Sequence, residues 1–264
     1  DELRLVPEAR RISNETGRKF EDVLADLKDD GVANLSAGSD KMLEGEGALD
    51  VSRFTRGEII NRDGGMSEVH EAEDNGDFVI WKQGSKSRKL GISQTKANSA
   101  IENEAEVLQR MFGEETVPNH RIPQYIDSGD YNERGIIAKV LVMENIEGRT
   151  LADAMETRTH GEGDPYSLKN AKKILLEVCE ALEPMADMSP PIYHRDIKPG
   201  NVILNGERGA VLIDFGLASM SDAGMKFSRS QGIASVGWAP PERNEKSTTG
   251  GFIDVYSMGQ MLWH

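Results

Sequence analysis

The sequence predicts an α+β fold, with a small antiparallel sheet lobe carrying one helix beside a mainly helical lobe. Three observations lead there. Short strand-like runs separated by Gly and Asp-Asn turns fill the stretch from Phe54 to about Trp81. One amphipathic helical stripe then interrupts the strands, and after Gly148 the apolar periodicity becomes helical. Strands followed by helices favour segregated layers over an alternating α/β sheet, with any ligand expected in the cleft between the two lobes.

The elements follow in order. The acidic segment Asp1 to about Asp50 differs in texture from the rest. Within it Phe20, Val23, Leu24 and Leu27 make one apolar stripe, which predicts a short amphipathic helix with Thr16 as its cap. A helix packed on a neighbouring domain is favoured there over a dedicated regulatory helix. Gly31 to Gly47 reads as a linker. Strands are expected around Glu58–Ile60, Ser67–His70 and Phe78–Trp81, then a polar loop from Gly84 to Ser99. Ile101, Ala105, Leu108 and either Met111 or Phe112 mark the amphipathic helix. Two more strands fall near Gln124–Ile126 and from Ile136 to Met143. A strong helical stripe from Ala171 to Met185 places Cys179 on a buried face, and short β runs occupy Val202–Leu204 and Val211–Ile213. There are no internal repeats.

Bulk properties narrow the functional classes. The 264 residues are 38% hydrophobic and 29% charged, the balance of a soluble globular protein that can bury a core. A formal net charge of −14 argues against nucleic acid as a partner and fits basic substrates or a saline cytoplasm. Cys179 is the only cysteine, so no internal disulfide can form and a reducing, cytoplasmic setting is expected. The five histidines and the cysteine lack metal-ligand spacing. No stretch approaches the roughly 18 apolar residues of a membrane span, although a tether outside this chain stays open. The chain opens on Asp1 and closes on His264 inside an apolar helical pattern, so both ends read as cuts.

The chemistry concentrates in His194-Arg195-Asp196-Ile197-Lys198-Pro199-Gly200-Asn201, followed after a short interval by Asp214-Phe215-Gly216 at the end of an apolar strand. Phosphoryl transfer needs a carboxylate at the attacking hydroxyl and oxygen ligands that hold a divalent ion against phosphate. Asp196 can accept the hydroxyl proton, and Lys198 lies close enough to reach the transferring phosphate. Asn201 and Asp214 can supply the metal-ligating oxygens. Taken singly these residues are a turn Asp, a surface Lys and a capping Asn; the ordered set carries the argument.

On these residues the chain from Phe54 to its end resembles the Hanks-type, eukaryotic-like protein kinases, and Lys198 two residues after Asp196 marks the Ser/Thr branch. The resemblance implies a bilobal protein kinase-like fold, with an N-lobe of about 54–146 and a partial C-lobe of about 147–264. It implies ATP, Mg²⁺ (with Mn²⁺ as an alternative) and a protein substrate with Ser or Thr. Asp63-Gly64-Gly65-Met66-Ser67-Glu68-Val69 resembles the phosphate-covering loop in its bacterial form, with Arg62 and Ser67 where glycines are usual. Lys82, thirteen residues after Val69, matches the strand lysine that grips the phosphates. Glu104 matches its helix partner, with Glu102 and Glu106 as competitors. Val69, Ile80 and Ile203 fall at nucleotide-binding positions, Ile80 where alanine is usual. In Leu141–Gly148 the resemblance makes Met143 the gatekeeper and gives Glu144 and Ile146 the adenine hydrogen bonds.

Asp214 to Glu242 resembles an activation segment ending in Ala239-Pro240-Pro241-Glu242, with Pro240 replacing alanine. Ser235 matches the hydroxyl that contacts the catalytic loop, Ser228 and Ser230 are candidate phosphorylation sites, and Arg195 would be the cationic partner of a phosphate there. Asp254, in Asp254-Val255-Tyr256-Ser257-Met258-Gly259, matches the residue that anchors the catalytic-loop backbone. Two other readings stand beside an active protein kinase: a pseudokinase scaffold or ATP-binding regulatory module, and a small-molecule kinase. Retention of Lys82, Asp196 and Asp214 counts against the first; Lys198-Pro199 and the Pro-Pro-Glu ending count against the second. Family members continue through further helices, so this chain alone should expose apolar surface around Val255, Met258, Met261 and Leu262 and be poorly soluble or inactive. Expression of this length as a soluble, monomeric, ATP-hydrolysing protein would overturn that expectation.

Overall fold

A computed structural model describes residues 49–61, 66–112, 120–133, 135–157, 167–220, 237–238, 240 and 250–263. The helix expected at Phe20–Leu27 and the glycine-rich stretch after it lie outside these residues. The chain divides into two compact units, one ending at Glu102 and completed by Ile126–Met143, the other made of Asn103–Tyr125 and the residues from Glu144 onward.

The first unit is built on a five-stranded antiparallel sheet. Its strands are β1 (Phe54–Asn61), β2 (Ser67–Asp74), β3 (Asp77–Gly84), β4 (Tyr125–Glu133) and β5 (Ile136–Glu144), in the order β1-β2-β3-β5-β4. Asn75 and Gly76 close the β2–β3 hairpin with φ of 53° and 98°, the left-handed pair that a tight two-residue turn requires. From Asp74↔Asp77 the register runs without a slip to Ser67↔Gly84. Strand alternation puts Ala72, Val79 and Trp81 on one face, where they join Leu49, Phe54, Val140 and Val142 in a buried cluster. Trp81 meets Phe54 and Tyr131 edge-on, at ring-centroid distances of 6.2 and 5.3 Å. The period of two therefore turns Val69, Ile80 and Lys82 to the other face, with Val69 directly opposite Lys82.

Helix α1 (Gln94–Met111) corrects one expectation, because it starts inside the stretch read as loop from Gly84 to Ser99. Ala97, fully buried, extends the stripe of Ile101, Ala105, Leu108 and Met111 one turn toward the N-terminus. Polar side chains hold that extra turn: Gln94 Nε2 donates to Gly84 O (2.7 Å) and to Asn98 Oδ1 (2.8 Å). A polar first turn that bonds to its own surroundings has the composition of a loop, which is why the sequence hid it.

The second unit contains a three-stranded sheet of β6 (Arg149–Thr150), β7 (Val202–Asn205) and β8 (Gly209–Leu212), and helices α2 (Leu151–Glu156), α3 (Leu168–Ala186) and α4 (Gly250–Trp263). Thr150 and Asp153 form a reciprocal capping box at the start of α2. Helix α3 buries Ile174, Glu177, Val178, Ala181 and Met185. Cys179 is a second correction: it is exposed, not part of the buried face. One residue past Val178 rotates it about 100° off the stripe, and the place beside Val178 is taken by Glu177. That buried carboxylate accepts Ala210 N–H at 2.8 Å and lies 3.7 Å from the Arg121 guanidinium. Partial burial, then the charges of Glu180 and Glu183, push the Cys179 thiol above its usual range, so it is a poor nucleophile. Met258 and Met261 of α4 are half-buried, while Val255 and Leu262 are exposed. Among the described residues no helix is long and apolar enough to cross a membrane.

Gly209 shows how tightly α3 grips β8. Its φ of +73° is in the glycine region, and a β-carbon there would fall on the Glu177 carboxylate. Gly209→Ala should destabilise the chain by about 1–3 kcal/mol, read as a lower urea midpoint with an unchanged slope.

Candidate active site

The site grows from the loop between α3 and β7, within the second unit. Tyr193 and Ser219 exchange backbone hydrogen bonds of 2.9 Å in each direction, which ties the loop's first residue to the segment after β8. Next, Asp254 reaches in from α4: its carboxylate accepts His194 N–H at 2.9 Å and Arg195 N–H at 2.6 Å. Arg195 has φ of 66°, a conformation that costs a side-chain-bearing residue about 1–3 kcal/mol. The buried Asp254 carboxylate offsets that cost with two charge-assisted bonds and finds its own compensation in them.

Asp196, the next residue, is only 7% exposed. Its backbone N–H donates to His194 Nδ1 at 3.3 Å. Its Oδ2 accepts Lys198 Nζ at 2.8 Å and Asn201 Nδ2 at 3.1 Å, and its backbone carbonyl accepts Asn201 Nδ2 at 2.8 Å. Three residues that the sequence singled out, Asp196, Lys198 and Asn201, therefore converge on one carboxylate oxygen.

His194 is fully buried, with its ring edge-on to Phe215 at 4.8 Å. Nδ1 accepts from Asp196, so Nε2 carries the proton and donates to Ile213 O at 3.1 Å. Burial holds the imidazole below its ordinary pKa of 6.5, against the opposing pull of the Asp196 and Asp214 charges.

Asn201 ends a short 3-10 turn, Pro199–Asn201, and its carbonyl accepts Ile213 N–H at 2.9 Å. That bond sets Asp214, with φ of 69°, beside the Asn201 turn. The Asn201 NH₂ group is committed to two Asp196 oxygens, which leaves Oδ1 as the amide's acceptor atom. One amide oxygen and one carboxylate form a hard donor pair that fits a divalent ion taking its remaining ligands from phosphate.

Other residues singled out in the sequence fall as follows. Glu104 of α1 is fully buried, whereas its competitors Glu102 and Glu106 are exposed, and Glu102 pairs with Lys139 at 3.0 Å. Lys82 is buried on β3, with Ile80 and Val69 half-buried on the same sheet face. Met143 and Ile146 are buried, and Ile203 is half-buried opposite Thr150 and Val211. Glu144 N–H donates to Gln124 O at 2.9 Å. Gly64, Gly65, Arg62, Ser228, Ser230, Ser235 and Glu242 lie outside the described residues. Trp238 is described, and its carbonyl accepts Ser257 Oγ–H from α4 at 2.9 Å. The sequence missed Asn103, whose NH₂ donates to Phe215 O (3.2 Å) and Ala218 O (3.0 Å). Nothing in its local pattern distinguishes it from a surface asparagine.

Asp196 is thus a buried carboxylate bonded by a lysine and an asparagine, and Asp214 is a second carboxylate just past β8. Residues 60–264 match the protein kinase domain family, and the chain belongs to it. A probable serine/threonine-protein kinase of Corynebacterium efficiens is 30% identical over 76% of this chain and 28% of its own length. A probable serine/threonine-protein kinase PknB of Bifidobacterium longum is 29% identical, over 82% and 30% respectively. Serine/threonine-protein kinase PknB of Mycobacterium tuberculosis is 28% identical, over 80% and 32%. The chain thus spans about a third or less of these relatives' length.

Two outcomes follow from the anchors. Asp254→Asn keeps the shape but turns an NH₂ or a weaker acceptor toward two amide donors, and should cost about 1.5–3 kcal/mol in urea denaturation. The His194 pKa is lowered on folding, so the unfolded chain takes up the proton first. Its contribution to stability is complete above pH 6.5 and declines as pH falls through 6.5 toward the lowered folded value. Melting temperature should therefore fall more steeply with acidification in the wild type than in His194→Gln; equal slopes would contradict the assignment.

Proposed function

We propose that this chain is the catalytic domain of a serine/threonine protein kinase, transferring the γ-phosphoryl group of ATP to a Ser or Thr hydroxyl of a protein. The observation that carries this reading is the convergence of Lys198 and Asn201 on Asp196 Oδ2, at 2.8 and 3.1 Å. The names of the relatives support the Ser/Thr branch.

In this reading Asp196 orients the substrate hydroxyl and takes its proton as the oxygen attacks the γ-phosphorus and the bond to the β-phosphate oxygen breaks, releasing ADP. Lys198, already at the Asp196 carboxylate, is poised to steady charge on the moving phosphoryl group. Mg²⁺, or Mn²⁺ in its place, would be held by Asn201 and Asp214 and would supply charge neutralisation at the phosphates. Lys82 and the Gly64-Gly65 backbone would bind the phosphates, and by the family resemblance Glu104 would be the glutamate that pairs with Lys82. Val69, Ile80, Met143 and Ile203 would enclose the adenine, with the backbone of Glu144 and Ile146 bonding its edge.

The kinase domain would run from about 54 to 264 behind an acidic extension of about 50 residues. The net charge of −14 over the whole chain suits basic protein substrates in a cytoplasmic setting and disfavours nucleic acid.

The test uses the full-length protein with labelled ATP, a basic protein acceptor, and Mg²⁺ or Mn²⁺ in parallel. Asp196→Asn should lower transfer by about 10²–10⁴-fold while nucleotide binding persists. Binding without transfer in the wild type would point instead to a regulatory module. Transfer to an antibiotic or sugar but to no protein would make it a small-molecule kinase.

A further inference from the structure

We infer that the β7–β8 turn, through Arg208 and Asn205, is a brace that sets the position of the adenine-bonding segment Glu144–Glu147 and so tunes nucleotide affinity and base selectivity. The inference rests on the nucleotide-binding role proposed for Glu144 and Ile146.

Arg208 spends three guanidinium nitrogens on one corner of the second unit. Nη1 donates to Glu144 Oε1 at 2.6 Å, Nε to His120 O at 2.6 Å, and Nη2 to Ile122 O at 2.9 Å. The other Glu144 oxygen accepts Gln124 N–H at 3.0 Å, while Glu144 N–H donates to Gln124 O at 2.9 Å. Side chain and backbone of Glu144 are thus both fixed before its carbonyl meets any ligand.

Glu147, three residues after Glu144, accepts Asn205 Nδ2 on its carbonyl at 2.9 Å. The same amide's Oδ1 accepts Glu207 N–H (3.0 Å) and Arg208 N–H (2.7 Å), so one side chain shapes the turn and holds the far end of the segment. Gly148 follows with φ of +139°, and a β-carbon there would collide with Leu204 O and with Ile203 Cγ2. The backbone is pressed onto β7 at that point, then pairs with it through Arg149↔Leu204 and Thr150↔Ile203. Residues 144–150 are therefore laid along the hairpin and clamped at both ends of Asn145-Ile146, the pair between the clamps.

The chemical consequence is selectivity. Adenine presents a donor at N6 and an acceptor at N1; guanine presents the reverse at O6 and N1. A backbone carbonyl and amide held in fixed register accept the first pattern and reject the second, because a mismatched pair leaves desolvated polar groups unpaired. Loosening the register weakens the correct fit more than the wrong one. Arg208 and Asn205 are accordingly positioning residues, which touch no reacting atom.

Full-length wild type, Arg208→Ala, Arg208→Lys and Asn205→Ala would be compared by ADP titration calorimetry and by steady-state rates with ATP and GTP. Arg208→Ala should weaken ADP binding about five- to tenfold and shrink the ATP-over-GTP preference in kcat/KM by a similar factor, with kcat at saturating ATP within about twofold. Arg208→Lys should recover part of the loss, since it keeps the charge on Glu144 but lacks the fork that holds His120 and Ile122. Asn205→Ala should shift both readouts the same way, and it serves if Arg208→Ala does not fold. ADP affinity and ATP/GTP preference that stay at wild-type values in the folded variants would overturn the brace. A wild type that binds neither ADP nor ATP would instead overturn the nucleotide-binding reading beneath it.

Discussion

The loop that carries Asp196 hangs from one buried carboxylate. Asp254 accepts the amide hydrogen bonds of His194 and Arg195 on separate oxygens, and with them fixes the backbone that leads into Asp196. A buried charge with no partner would be expensive, and two amides pulled into a left-handed turn with no acceptor would be expensive too. Joined, each removes the other's cost. The strained φ of Arg195 is a consequence of that bargain, since the turn must present two successive N–H groups to one side.

From that anchor the geometry propagates through short bonds. His194 uses both ring nitrogens, one toward Asp196 and one toward Ile213, so a neutral imidazole joins the loop to the strand end that carries Asp214. The Asn201 carbonyl takes the Ile213 amide, and Tyr193 pairs with Ser219 further out. The loop and the segment after β8 are thereby stitched at three levels. Asn103 adds a stitch from α1 to the carbonyls of Phe215 and Ala218, so the helix bearing Glu104 is bonded to the segment bearing Asp214. Any displacement of one of these pieces must break several bonds together, the condition for a preorganised site.

The first unit solves a different problem. Its sheet spends one face on the cluster around Trp81, Phe54 and Tyr131, and this frees the other face for Val69, Ile80 and Lys82. The unslipped β2–β3 register, begun by the Asn75-Gly76 turn, is what keeps Lys82 opposite Val69; a one-residue slip would send the lysine to the Trp81 side.

The amino-acid sequence by itself determined the elements whose signal is local. Alternating strands, the stripe of α3 and the tight Asn75-Gly76 turn follow from periodicity and backbone sterics. The run from His194 to Asn201 followed by Asp214-Phe215-Gly216 marked the candidate site, because phosphoryl transfer demands a narrow set of side chains in order. Burial of polar groups was decided only by the tertiary structure. Glu177 lies inside and Cys179 outside because Ala210 N–H and Arg121 supply partners from distant segments. Glu104 is fully buried while Glu102 and Glu106 are exposed, and the polar first turn of α1 needed Gly84 O to be seen as helix. Asn103, Asn205 and Arg208 were silent for the same reason: a hydrogen bond to a backbone carbonyl far along the chain carries no residue preference, so it appears only when the chain has folded.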